Sequence, residues 1–452
     1  MSFMEPFRIK TVEHLPNPTR EERLKLLHES GYNPFQVKDK YVTFDLWTDS
    51  GTAAMSHHQW AAMLETSEGC ISPDSFDTFA DTINRLTGFP HILPVHQGRA
   101  AEHILFSVLA EPGSTVFSNT MYITGRANAE LNGAVVVDVP SQQVEGGDFN
   151  GDLDCVRLQE ELRRVDVGKS MVVMTLTSNN QAGQPVSMAN IKHVSEICKT
   201  HDVSLFMDGC RFAENAYFIK TRTKVYRDVS ARDIALEMFS HFDGMYMSAK
   251  KDGLCNIGGF FATRLSDVYG QFKRRMTYTE GNPSYGGLSS RDLEAVAVGL
   301  WEGTDDRYLK YRIEILAMFG DILKKAGVPI VEPVGSAIYI NAARCLPHIP
   351  TEQYPAWALH CALYIEGGIR CSHVHDVLKV DSTNKREDPQ PQHFIRLSIP
   401  RRTYTLSHLI HIGDIFKNVL EKRGSISGFC IKNSSGHYFS AVMEPVRKCF
   451  VG

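Results

Sequence analysis

The sequence predicts an α/β fold, with a mostly parallel sheet covered on both faces and a second, smaller α/β unit. Three observations predict it. From about residue 50, apolar β-branched runs alternate with segments of helical spacing. The runs are apolar enough for strands buried beneath helices on both sides. After the break at Pro283-Ser284-Tyr285-Gly286-Gly287 and a long helical stretch, the strand pattern begins again.

Each element follows in order. Residues 1–45 are charged and punctuated by proline, and read as an arm that packs on other structure, with one amphipathic segment at 20–30. Strands are expected at 133–139, 171–176, 203–207 and 244–247, and helices at 188–200 and 233–240. A single helical stretch is expected from about 290 to 326. A new unit starts at Val328-Pro329, with strands near 337–340 and 394–399, and the polar segment 375–392 reads as a surface loop. The expected division is 1–50 as arm and part of the small domain, 51–305 as the large domain, and 306–452 as the C-terminal small domain.

Bulk properties exclude several functions. The chain has 452 residues, 43% of them hydrophobic, and a formal net charge of -4. No strongly basic face is implied, so nucleic acid is not an expected partner. The 10 cysteines are scattered without CxxC pairs or zinc spacing and read as free thiols of a reducing compartment. The first residues, MSFMEPFRIKTVEHLP, lack the apolar core of a signal peptide. No window approaches the roughly 18–20 apolar residues of a membrane helix. A soluble, cytoplasmic protein is expected.

The chemistry gathers at strand ends. The strand at 203–207 runs into Asp208-Gly209-Cys210-Arg211, and the one at 244–247 into Ser248-Ala249-Lys250-Lys251. In an open parallel sheet the carboxyl ends of the strands form the binding crevice. A carboxylate on one strand end and a lysine on the next suit pyridoxal phosphate. The lysine binds the cofactor, and the carboxylate keeps the pyridine nitrogen protonated so that the ring acts as an electron sink. An ordinary surface lysine pair in a turn is the plainer alternative, and the ordered set with Asp208 weighs against it. Upstream, His96-Gln97-Gly98-Arg99 follows an apolar run and opens a helix. Backbone N–H groups at such a start, with the helix dipole, form an anion cradle.

The runs EPFRIK (5–10), DLWTDSGT (45–52), HQGRAAE (96–102), GQPVSMAN (183–190), RFAENAYFIK (211–220), SAKKD (248–252), PSYGGL (283–288) and RLSIPRRTYT (396–405) span the chain in order. They resemble tryptophanase and tyrosine phenol-lyase, the pyridoxal-phosphate β-eliminating lyases, and are closer to tryptophanase. The resemblance implies the aspartate-aminotransferase-like fold (fold type I), with a seven-stranded large-domain sheet, a homotetramer with active sites shared between subunits, and a potassium ion. It makes Lys251 the cofactor lysine. Asp208 then holds the pyridine nitrogen, and Asn179 and Arg211 flank the phenolic oxygen. Gln97, Gly98, Arg99 and Ser248 hold the phosphate, and Tyr122 stacks on the ring. Arg396 clamps the substrate carboxylate, for which a bidentate guanidinium suits a planar anion. Thr48 and Ser50 lie beside the carboxylate and phosphate regions. Gly51, Glu68 and Asn256 match the cation ligands. The implied reaction removes the α-proton with Lys251 or a group beside it, then protonates the aromatic side chain so that it leaves.

Four positions depart from the family. Cys70 stands where the family has its proton-donating tyrosine. A thiol titrates near ~8.5 against ~10 for a phenol, so Cys70 either donates in its place or merely fills space. Ile123 replaces an acidic residue of tryptophanase or a threonine of tyrosine phenol-lyase, and offers the substrate ring an apolar wall. Val374 replaces the arginine that reads a phenol hydroxyl, which favours indole. Tyr438 replaces a histidine of tryptophanase. Together they point to tryptophan or a ring-substituted, for example halogenated, tryptophan. Tyrosine and S-substituted cysteine are the alternatives within the chemistry. A catalytically silent relative is a third, disfavoured by the intact Lys251, Asp208, Arg211 and Arg396. A nicotinamide-dependent dehydrogenase lacks its glycine fingerprint here.

Overall fold

The computed structural model describes residues 3–69, 71, 73–374, 393–433 and 438–447. The expected loop at 375–392 lies outside the described residues. Contacts divide the chain into two compact units, one of Met1–Asp49 with Glu314–Gly452 and one of Ser50–Ile313.

The first unit contains both chain ends. Its helix Arg20–Glu29 starts with a capping box, in which the Thr19 hydroxyl accepts from the Glu22 N–H and the Glu22 side chain accepts from the Thr19 N–H. The arm packs on its own unit. The Arg23 guanidinium donates to the carbonyls of Ile365 and Glu366 at 2.8 Å each, and so satisfies carbonyls at the end of the helix Pro355–Gly367. Strand β1 (Phe44–Leu46) follows.

The second unit holds seven strands: β2 (His91–Val95), β3 (Thr115–Ser118), β4 (Val135–Asp138), β5 (Ser170–Thr175), β6 (Ser204–Asp208), β7 (Gly244–Ser248) and β8 (Gly259–Thr263). They form one sheet in the order β2-β8-β7-β6-β5-β3-β4. Neighbours are parallel except at β8, which runs antiparallel to both β2 and β7. Central strands are buried along nearly their whole length, as between two helix layers. Leu93, Ile104, Phe106, Val173, Phe206 and Phe261 belong to the core on one face.

The first unit is completed by β9 (Ile338–Asn341), β10 (Ile369–Val374) and β11 (Phe394–Leu397), which pair with β1 in the order β1-β10-β11-β9. A hairpin of β12 (Phe429–Asn433) and β13 (Val442–Pro445) stands apart from that sheet.

The single helix expected over 290–326 is two, Ser290–Gly303 and Asp306–Lys325. The chain stops at Thr304, whose hydroxyl bonds back to the Leu300 carbonyl at 3.0 Å. It restarts under Asp305, whose carboxylate accepts from the N–H groups of Arg307 and Tyr308. The unit boundary falls within the second of these helices, eight residues beyond the expected one.

Candidate functional site

The parallel pairing of β6 with β7 puts Asp208 opposite Tyr246 and brings both carboxyl ends to one edge. Asp208 closes β6 and is buried, with its carboxylate accepting the Cys210 N–H at 3.2 Å. Cys210 ties the two strand ends together, because its sulfur accepts the Ser248 N–H at 3.3 Å. Arg211 is also buried and immediately precedes the helix Phe212–Arg222. No side chain of its own sequence caps that helix. The cap comes from Asp252, whose carboxylate accepts from the N–H groups of Ala213 and Glu214 at 2.8 and 3.1 Å. One residue beyond Lys251, therefore, the chain is bolted to the helix that carries Arg211. Asp252 lay inside the SAKKD run, but nothing in the sequence named its partner.

Burial works to lower the Lys251 ammonium, and Arg211 works the same way. Cys210, Asp208 and Tyr122 outweigh them, and the pKa lies above the ordinary lysine value. Burial and the nearby Asp208 push the Cys210 thiol up to about 12.

The expected phosphate cradle lies at the start of the 12-residue helix Gly98–Leu109, which no side chain caps. Gly98 allows this start to touch the end of β7. A Cβ there would stand 2.9 Å from both the Cβ and the backbone nitrogen of Ser248. Gly259 repeats the device from the neighbouring strand, where a Cβ would meet the Met247 oxygen at 2.5 Å and the Gly98 nitrogen at 2.9 Å. Lys250 turns to the same place and donates to the Gln97 amide oxygen at 3.3 Å. A cavity of about 410 Å³ opens beside the cradle, lined in part by Gln97, Arg99, His103, Thr124 and Asn128. Gly98→Ala is expected to displace the helix start, weaken binding of a phosphate ligand by about tenfold and destabilise the fold by ~1–3 kcal/mol. Cofactor titration and thermal unfolding measure the two effects.

The loops after β3 and β5 complete this edge. Tyr122 is the residue before the helix Ile123–Leu131, and Ile123 is 57% exposed at its first turn. Asn179 begins the short turn Asn179–Gln181. The two loops are laced by the Thr120 and Ser178 hydroxyls at 2.7 Å and by the Asn180 amide, which donates to the Met121 carbonyl at 2.9 Å.

Gly51 and Asn256 come together, with the Asn256 amide donating to the Gly51 carbonyl at 3.0 Å. Glu68 is engaged elsewhere. Its carboxylate accepts from the Ser290 N–H at 3.2 Å and pairs with Arg291 at 2.8 Å. Ser50 is half-buried at the start of this unit.

The first unit holds Arg396, Thr48, Val374 and Tyr438. Arg396 lies on β11, is buried, and donates through Nη2 to Asp49 at 3.1 Å. Its Nε is buried with no hydrogen-bond partner among the described residues. Asp49 also accepts from Arg401 at 3.0 Å, so two guanidiniums share one buried carboxylate. Asp49 and Arg401 were not among the expected site residues, although DLWTDSGT and RLSIPRRTYT contain them. Thr48 is half-buried beside Asp49. Val374 ends β10 opposite Phe394, and Tyr438 opens the turn Tyr438–Ser440. Cys70 lies outside the described residues. The described cysteines, among them Cys155, Cys210 and Cys371, are free thiols. Among the described residues no helix is long and apolar enough to cross a membrane, and no His, Cys, Asp and Glu cluster could hold a metal.

With this geometry in place, likeness to known proteins bears on it. Residues 45–414 match the family model described as beta-eliminating lyase. The chain is 43% identical to the tryptophanase of Salinibacter ruber, over 98% of this chain and 96% of that protein. It is 42% identical to the tryptophanase of Hyphomonas neptunium, over 98% and 99%. With the tyrosine phenol-lyase of Pasteurella multocida the identity is 39%, over 98% of each. Among solved structures, Sphingomonas wittichii serine palmitoyltransferase superposes with a TM-score of 0.62 at 12% identity, over 89% of this chain and 96% of that one. The fold is thus the aspartate-aminotransferase-like one expected, with its seven-stranded, mostly parallel sheet.

Proposed function

The chain belongs to the β-eliminating lyase family, and from that premise we propose that it carries pyridoxal phosphate on Lys251 and cleaves tryptophan, or a ring-substituted tryptophan, to the indole, pyruvate and ammonia. The observation that carries this reading is the chain-long likeness to proteins named tryptophanase.

The residues present fit the cofactor. An uncapped helix start abuts Ser248 through Gly98, and the buried Asp208 acts electrostatically on the half-buried Lys251 one strand away. Gln97, Gly98, Arg99 and Ser248 would hold the phosphate, Asp208 the pyridine nitrogen, Asn179 and Arg211 the phenolic oxygen, and Tyr122 the ring face. When bound, the cofactor supplies an electron sink for the α-carbon. The chain supplies the rest. Arg396, steadied by Asp49 and with a buried Nε that has no partner among the described residues, would bind the substrate carboxylate on the family likeness and so fix which α-bond ionises. Lys251, or a group beside it, would take the α-proton. On the family likeness, Thr48 and Ser50 would lie beside the carboxylate and phosphate regions.

The ring preference rests on the residues around the leaving group. Ile123 presents an apolar side chain beside Tyr122, which suits an indole with an apolar, electron-withdrawing substituent better than a phenol. Val374 and Tyr438 belong to the same reading, and Cys70 is its proposed proton donor. Potassium at Gly51, Glu68 and Asn256 and a homotetramer are proposed on the family likeness. A cation there competes with the Asn256 amide for the Gly51 carbonyl and with Arg291 for Glu68.

Pyruvate release from tryptophan, bromotryptophans, tyrosine and an S-alkyl cysteine, measured side by side, tests the proposal. Tryptophans are expected to exceed tyrosine by at least about tenfold in kcat/KM, a factor that one changed ring contact supplies. Pyruvate from tyrosine or the S-alkyl cysteine alone overturns the reading. Bromotryptophans no faster than tryptophan remove the halogen refinement.

A further inference from the structure

We propose that Glu102 and Thr124 form a buried latch that positions Tyr122 and Ile123 over the cofactor. The proposal rests on the reading of those two residues given above.

Glu102 is only 4% exposed and lies one turn into the helix Gly98–Leu109, the helix of the phosphate cradle. Thr124 is the second residue of the helix Ile123–Leu131. Its hydroxyl donates to Glu102 Oε2 at 2.6 Å. The second helix has no side-chain cap of its own at Tyr122, so its entry must be set from outside. On one side the segment is held by Asp138, which accepts the Met121 N–H at 2.9 Å, and by Asn180 on the Met121 carbonyl. On the other side stands the latch, which joins it to the cradle helix.

Burying a carboxyl is costly unless it is hydrogen-bonded, and here the bond spans two helices that each carry a part of the site. Asp208, Lys251, Arg99 and Tyr246 interact with Glu102 electrostatically. Burial first, then the charge of Asp208, push its carboxyl up to about 7, against Thr124, Lys251 and Arg99. Both protonation states are populated near neutrality. A threonine hydroxyl can donate to the ionised form or accept from the neutral one, so the latch holds in either.

Loss of the latch leaves the phosphate contacts in place and frees the helix start that carries Tyr122. Misplacement by about 1 Å can cost up to about a hundredfold in rate. In the holoenzyme, Thr124→Val is expected to lower kcat by at least about tenfold and to alter the visible circular dichroism of the bound cofactor. The cofactor Kd stays within about twofold, because the cradle is untouched. Glu102→Met, which removes the acceptor from the opposite helix, is expected to reproduce this split. Thr124→Ser, which keeps the hydroxyl, restores both kcat and the dichroism. A wild-type dichroic band and kcat in Thr124→Val or in Glu102→Met overturns the proposal, as does a Thr124→Ser enzyme as impaired as Thr124→Val. The cofactor assignment is checked separately by the visible band of the wild-type protein and its loss in Lys251→Ala, so failure of the latch leaves that assignment standing.

Discussion

Replacing Lys251 with alanine is expected to abolish the visible band of the lysine-linked cofactor and to lower turnover by at least about a thousandfold. The expectation separates two adjacent lysines that composition and spacing leave equivalent. Lys250 donates to Gln97 at the cradle, and burial together with the neighbouring Lys251 and Arg99 lowers its pKa. Lys251 instead sits in the field of Asp208, one turn past the end of β7, with its N–H bonded to the Ser248 carbonyl at 3.3 Å. Lys250→Ala should therefore keep the band of the lysine-linked cofactor and lose affinity for the phosphate, whereas Lys251→Ala should lose that band while the phosphate cradle still holds the cofactor non-covalently. The opposite pattern would place the cofactor on Lys250. Absorbance spectra after desalting, with the cofactor Kd of each variant, decide between them.

The largest effect on stability is expected at Arg312. Its guanidinium pairs with Glu214 at 2.9 Å, and the two side chains are 2% and 1% exposed. Glu214 lies in the first turn of the helix that follows Arg211, and its own N–H is held by Asp252. Arg312→Met removes this buried pairing from Glu214 and is expected to cost ~3–5 kcal/mol. The double variant Glu214→Leu with Arg312→Met removes both charges and is expected to recover most of that loss, because the pair's attraction roughly repays its desolvation. Denaturant midpoints of the four proteins of this cycle give the coupling. A single variant that loses less than about 1 kcal/mol would show that water reaches Glu214.

Legibility differed between elements for physical reasons. The strands β5, β6 and β7 were visible because burial on both faces makes them continuous apolar runs, and their last polar residues marked the crevice. β8 gave no comparable warning. Its antiparallel placement depends on pairing with two strands distant in sequence. The two helices between 290 and 325 merged into one because apolar spacing continues across the break. Yet Gly303-Thr304-Asp305 carried a stop and an N-cap that local chemistry could have read. The arm showed its helix but not its partner, the carbonyls of Ile365 and Glu366, more than 340 residues away.

The ends of β6 and β7, which carry Asp208 and lead into Lys251, were legible as neighbours because two adjacent parallel strands deliver their ends to one edge. Gln97 and Gly98 were legible because a helix start advertises itself locally. Tertiary structure alone decided how these groups are held. Asp49 is shared by Arg396 and Arg401 across some 350 residues of chain, Asp252 caps the helix behind Arg211, and Glu102 meets Thr124 between two helices. Each of these contacts couples a buried charge to a partner on another element. Sequence distance carries no information about such a partner, whereas the cost of burying an unpaired charge makes it obligatory once the chain has folded.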